Sequence, residues 1–181
     1  VKDTGFLTFD WDDPDRDDDQ WLYLPALGKP KRIATRDKDG SFMGSDLNYS
    51  DMTSRNLEDF DYKLLKETVF KGQDCWIIQS LPRSEDVIDE TGYTKSILAV
   101  RKDNFMVTRI KAWTHEGDYI KIMDFDDMVQ IEGIWVARRI NVVKRRGKTV
   151  RHKTLMSISN IKFNQDLSHD IFTLRRLAKG L

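Results

Sequence analysis

Period-two alternation constrains this chain more than any other feature. Ten segments carry it: 5–11 (GFLTFDW), 20–25 (QWLYLP), 31–35 (KRIAT), 61–71, 74–81, 94–102, 105–115, 118–126, 133–145 and 149–163. Successive side chains on a strand point to opposite faces, so each segment reads as a strand. Turn-forming residues fall between them at 72, 90–92, 102–104, 116–117 and 146–147. Connections this short join antiparallel neighbours, whereas parallel pairing needs a long crossover. Helix signals are few. Ser168 or Asp170 could cap 171–179 (IFTLRRLAK), with Gly180 ending that helix, and 50–59 could hold a helical turn. The expectation is a mainly β, α+β chain built on an antiparallel sheet.

Two hairpins can be registered from the sequence. With residues 116–117 at the tip, Ile110 faces Met123 and Thr108 faces Phe125, while Arg109 pairs with Asp124 and Trp113 with Ile120. With residues 146–147 at the tip, one face carries Trp135, Ala137, Val143, Val150, Met156 and Ile158. The other holds Ile134, Val136, Ile140, Val142 and Leu155. Both faces are therefore partly apolar, unlike a sheet with one wet side. A curved sheet, covered on one side and lining something apolar on the other, would account for this. Edge packing or a partner would account for it equally.

Charge excludes some functions. Lys plus Arg and Asp plus Glu are 30 each, so the chain as a whole is no polyanion binder. No apolar run approaches the roughly 20 residues of a membrane helix. Residues 1–20 hold eight Asp, an oxygen density that suits calcium, but without the order of a calcium loop. A solvated loop bent at Pro14 is the plainer reading. Residues 138–153 (RRINVVKRRGKTVRHK) hold eight Lys or Arg and no acid. No aromatic interleaves them as a nucleic-acid stacking platform requires, so no nucleic-acid partner is expected. A charged edge hairpin that resists sheet-to-sheet pairing fits better, and contact with anionic lipid headgroups stays open.

Catalytic signatures are missing. His115, His152 and His169 lie far apart in the sequence, and no G-x-S-x-G elbow occurs. Cys75 is the only cysteine, so there is no internal disulfide and no Cys-based zinc site. The stretch 36–52 (RDKDGSFMGSDLNYSDM) has Gly40 and Gly44 four apart but no following Lys, so it is no phosphate loop. Phe42 and Met43 read as apolar plugs on a sharply bent segment, with Asp46, Asn48 and Ser50 satisfying local backbone donors.

The segment 17–52 (DDDQWLYLPALGKPKRIATRDKDGSFMGSDLNYSDM) resembles the outer-membrane lipoprotein-sorting family, related to the LolA-like periplasmic lipoprotein carriers. Further matching pieces are 61–65 (DYKLL), 74–86 (DCWIIQSLPRSED), 91–105 (TGYTKSILAVRKDNF), 131–140 (IEGIWVARRI) and 170–181 (DIFTLRRLAKGL). The resemblance implies one LolA-like domain over 1–181: a curved antiparallel sheet forming an incomplete β-barrel, with short helices at its mouth. It implies a periplasmic, non-enzymatic carrier of lipoprotein acyl chains or another apolar ligand, without metal or cofactor. The alternative is a non-catalytic module serving a membrane exporter or outer-membrane assembly partner. Family members carry a signal peptide, an N-terminal helix and strands ahead of the equivalent of Val1, so that segment is expected to be missing here. An exposed edge strand would then pair two copies into a homodimer. The expected cavity lining is Trp21, Tyr23, Phe42, Met43, Ile110, Met123, Phe125, Trp135 and Met156, each of which also reads as ordinary core.

Overall fold

A computed structural model describes residues 2–11, 16 and 18–179. Ten strands form two antiparallel sheets. The smaller sheet has the order β1-β2-β3: β1 Gly5–Phe9, β2 Asp19–Tyr23 and β3 Pro30–Ile33. The larger is a seven-stranded meander: β4 Phe60–Phe70, β5 Gln73–Pro82, β6 Tyr93–Arg101, β7 Val107–Thr114, β8 Tyr119–Ile131, β9 Ile134–Arg146 and β10 Thr149–Ser157. This sheet is curved and does not close into a barrel. Among the described residues there are also two short α-helices, α1 Glu85–Thr91 and α2 Leu174–Leu177, and six 3-10 turns.

Local chemistry explains most boundaries. The β8–β9 turn places both Glu132 and Gly133 at positive φ, the two-residue geometry that matches strand twist. β8 therefore runs past 126 to Ile131. β10 stops at Ser157 rather than 163, just before Asn160 takes a left-handed conformation. The unforeseen α1 carries ordinary signals at both ends. Ser84 accepts from Val87 N, and Gly92 ends it at φ 74°. The C-terminal helix is shorter than expected: Ser168 caps a 3-10 turn at His169–Ile171, and Thr173 caps α2. Gly180 lies outside the described residues.

The first registered hairpin holds, with Arg109↔Asp124, Ile110↔Met123 and Trp113↔Ile120. Pairing there ends at Arg109↔Asp124, and the Thr108 hydroxyl donates instead to the Ala99 carbonyl. The second hairpin differs in one respect. A bulge between Val150 and His152 shifts β10, so Met156 pairs with Ile140 and Thr154 with Val142. Met156 thus joins the face of Ile140 and Val142, not that of Trp135 and Val143. One extra residue in a strand moves everything beyond it to the other face.

Pairing then defines a row across all seven strands: Leu64, Ile78, Leu98, Ile110, Met123, Val142 and Thr154. This is the core face. Leu47, Tyr93, Ala112, Met123 and Val142 form its buried centre, with Phe42, Met52, Ile110, Phe125, Ile140 and Met156 packed around them. Segment 34–52 supplies Phe42, Leu47 and Met52, so it covers the β7–β9 part of the face. The small sheet lies beyond it, with Phe6 against Phe42 at 5.1 Å and against Tyr49 at 5.9 Å between ring centroids. On the reverse face, Lys71 at the β4–β5 turn reaches Asp124 at 2.7 Å and Asp126 at 2.8 Å on β8. That reach across β6 and β7 records how strongly the sheet coils.

Burial along the row is uneven. Met123 is 3% exposed and Leu64 is 53% exposed. Met123→Ala is expected to cost about 2–5 kcal/mol of unfolding free energy. Leu64→Ala should stay within about 0.5 kcal/mol. Urea denaturation of the two variants checks both.

Candidate functional site

The core face has a covered end and an open end. At β7–β9, segment 34–52 lies over Ile110, Met123 and Phe125. At the β4 end, Tyr62, Leu64 and Leu65 are exposed, and Ile78 and Leu98 are half-buried. A band of aliphatic side chains therefore runs without interruption from solvent to the covered core. An uncovered apolar strip of this kind is where an apolar ligand can trade water for contact.

Polar groups pin the covering segment to the sheet. The Asp46 carboxylate accepts from the Thr154 hydroxyl at 2.9 Å and lies 2.7 Å from His152 Nδ1. Asn48 donates through Nδ2 to the Thr91 carbonyl at 2.9 Å, and the Ser50 hydroxyl donates to the same oxygen at 3.2 Å. Buried Lys38 pairs with Glu90 at 2.6 Å. Buried Gln20, on β2, donates to the Tyr49 carbonyl at 2.7 Å. The polar residues of 36–52 thus serve distant partners as well as local ones: the Asp46 contacts span more than 100 residues. Met43, at φ 50°, and Gly44, at φ 75°, make the bend that turns Phe42 inward.

At the centre of this seam sits a lysine. Lys121, 4% exposed, donates to Asn48 Oδ1 at 2.6 Å and to the Tyr93 hydroxyl at 3.3 Å. Tyr93 donates to Asp51 at 2.9 Å, and Asp51 also accepts from Asn48 N at 2.8 Å. Burial pushes the Lys121 ammonium down to about 8, against the pull of Asp51. Burial likewise raises the Asp51 carboxyl, and burial together with Asp51 holds the Tyr93 phenol well above its ordinary value. Sequence reasoning did not single out Lys121. Its phase with Met123 and Phe125 was the available signal, since all three are odd-numbered positions of β8 and share the inward face.

The nine expected lining residues divide among three places. Phe42, Ile110, Met123, Phe125 and Met156 come together in the core cluster, and Met43 is half-buried at the bend beside Phe42. Trp21 and Tyr23 pair with Leu7 and Gly5 on the far side of the small sheet, where Gly5 lies against Leu177 of α2. Trp135 lies on the reverse face of the large sheet beneath Arg101. Two clefts are polar and contain none of the nine. One, of about 350 Å³, is walled by Trp11, Asp51, Arg55, Phe60 and Tyr93 among others. The second, of about 110 Å³, is walled by Asn48, His115, Lys121 and Lys144 among others.

For chemistry, the arrangement offers little. His115, His152 and His169 are exposed, and Cys75 is buried on the reverse face. Thr154 donates to Asp46 rather than to His152, so these three form no nucleophile–base–acid relay. Among the described residues, no group of His, Cys, Asp or Glu is arranged to hold a metal ion. Among them, no helix is long and apolar enough to cross a membrane.

Comparison with known proteins identifies the family. A family model described as "Uncharacterized protein" matches residues 1–179. An outer membrane lipoprotein-sorting protein domain from Vibrio parahaemolyticus superposes with a TM-score of 0.84 at 30% identity, covering 98% of this chain and 72% of that one. The chain belongs to the outer-membrane lipoprotein-sorting family. A DUF1329 family protein from Desulfovibrio piger matches with a TM-score of 0.82 at 30% identity and the same coverage. A LolA superfamily protein from Nitrosomonas europaea, 19% identical, shares the fold, with a TM-score of 0.61 over 86% of this chain and 66% of that one. Comparison with curated proteins gives no match. Membership of this lipoprotein-sorting family supports a carrier or binding role in general.

The buried lysine makes stability depend on pH with a definite sign. Folded Lys121 gives up its proton near pH 8, and the unfolded chain holds it to about 10.5. Between those values the unfolded state binds more protons, so stability rises with pH across that window. Above about pH 10 the raised Tyr93 phenol works in the opposite direction. Thermal midpoints taken from pH 7.5 to 9.5 are expected to rise in the parent chain and to lose that rise in Lys121→Met.

Proposed function

We propose that this chain is a non-enzymatic periplasmic carrier or binding protein for lipoprotein acyl chains or another apolar, lipid-like ligand. The single observation that carries the reading is the aliphatic row Leu64–Ile78–Leu98–Ile110–Met123, open at one end and covered at the other. An acyl chain would enter beside Tyr62 and Leu64 and lie along Ile78 and Leu98. It would reach Ile110, Met123, Phe125 and Met156 beneath Phe42 and Met43. Each methylene removed from water contributes about 0.8 kcal/mol, and Met side chains repack around varied shapes. No nucleophile or metal is needed for holding. The polar seam under segment 34–52 suits a cover that must lift, because its groups regain water when exposed.

A second reading is an interaction module serving a membrane exporter or assembly partner. It is favoured by β4, an edge strand with Tyr62, Leu64, Leu65 and Val69 exposed. Such an edge is a template for a further strand, including one from a second copy. Sedimentation of the chain as a monomer at high concentration would count against the homodimer.

Titration with a fluorescent long-chain fatty acid distinguishes the readings. The carrier reading expects saturable binding, weakened at least about tenfold by Ile78→Glu, since a carboxylate in the row would be stripped of water by the ligand. Mass spectrometry of an organic extract of the purified chain should also recover lipid. An empty extract together with no probe binding would leave the module.

A further inference from the structure

The reverse face of the large sheet carries an ordered pattern of its own. Pairing aligns Lys63, Gln79, Ile97, Lys111, Ile122, Val143 and Lys153 in one row across all seven strands. The neighbouring row is Lys95, Trp113, Ile120, Arg145 and Val150. These two rows hold five cations, five aliphatic side chains, one Trp and no carboxylate. Every residue in them is at least partly exposed. Lys95 Nζ and Lys111 Nζ stand 4.1 Å and 4.5 Å from the Trp113 ring centroid, one on each neighbouring position of the weave. The acids in the next rows of this face, Asp124 and Asp126, are engaged by Arg109, Lys71 and Asn141, while at the margins Asp61 pairs with Arg83 and Asp118 with Arg146. The β9–β10 tip adds Arg146, Lys148 and Arg151 beside Val150, whose side chain is 48% exposed.

We propose that this face docks the protein on an anionic lipid bilayer. Seven strands about 4.8 Å apart make a charged row about 29 Å wide, broad enough to lie across many headgroups. Ammonium and guanidinium groups reach lipid phosphates while Trp113 and the aliphatic side chains rest at the headgroup boundary, where Trp is favoured. Lysine is depleted at protein–protein interfaces, and four of the five cations in these rows are lysines, Lys63, Lys95, Lys111 and Lys153, so the composition favours a membrane over an acidic protein. The neutral net charge conceals the patch, because the balancing acids lie elsewhere, eight of them in residues 1–20. Docking by the reverse face leaves the open end of the core face free, so the two surfaces act independently.

Co-sedimentation with vesicles tests this. The chain is expected to bind vesicles of phosphatidylethanolamine with phosphatidylglycerol, to ignore pure phosphatidylcholine, and to come off at about 0.5 M salt, where screening confines charges to a few Å. Each cation at an anionic surface is worth about fivefold in partitioning, so Lys95→Gln/Lys111→Gln/Lys153→Gln should lower binding on the order of a hundredfold at an unchanged thermal midpoint. Equal binding to phosphatidylcholine, or full binding by the triple variant, would overturn the proposal. So would capture of an acidic peptide by a chain that ignores every vesicle. The fatty-acid titration needs no bilayer, so docking and ligand holding succeed or fail separately.

Discussion

Pairing of Ile110 with Met123 across β7 and β8 sets the phase of the whole large sheet. From that pair outward, antiparallel register carries the same face through Leu98, Ile78 and Leu64 on one side and through Val142 and Thr154 on the other. The opposite phase is thereby committed to Lys111, Ile122 and Val143. A slip of one residue would exchange the two sets, exposing Met123 and burying Lys111. The apolar row and the cationic row are thus two consequences of one alignment.

Burying Lys121 beside Met123 looks costly, because a desolvated ammonium is unfavourable unless it is compensated. Its position gives a physical account. Asn48 and Tyr93 accept its protons, and Asp51 supplies the opposing charge through Tyr93. The segment holding Asn48 and Asp51 can therefore rest on the sheet in only one placement, since sliding it would strand a charge. An apolar cover alone would tolerate several placements. The seam trades stability for specificity of position, and it sits where a carrier would need its cover to be both defined and releasable.

The resulting molecule is graded along its own sheet. At β7–β9 the core face is sealed by segment 34–52 and backed by the small sheet and α2. At β4–β6 it is open and apolar. The clasp of Lys71 on Asp124 and Asp126 holds the β4–β5 turn across the reverse face, so the sheet's coil is stabilised by charge as well as by twist. The fold of this chain therefore combines a sheltered centre and an accessible margin in one continuous surface.

Alternation and turn residues sufficed to locate all ten strands and their antiparallel sense, because both signals are local. The β7–β8 register was legible for the same reason: its tip and its alternating pairs lie within about 20 residues of chain. Three of the expected lining residues, Ile110, Met123 and Phe125, could be grouped because they share a phase on the neighbouring strands β7 and β8. Other features required the folded chain. The bulge after Val150 that turns Met156 inward has no marker in RRGKTVRHK. The partners of Asp46 lie more than 100 residues away. Nothing in the sequence of Trp21, Tyr23 or Trp135 says which layer each will meet. Strand position and phase are properties of neighbouring residues, so the sequence by itself determined them. Which phase is covered, which end stays open and which lysine is buried depend on how distant segments stack, and only the tertiary structure decided those.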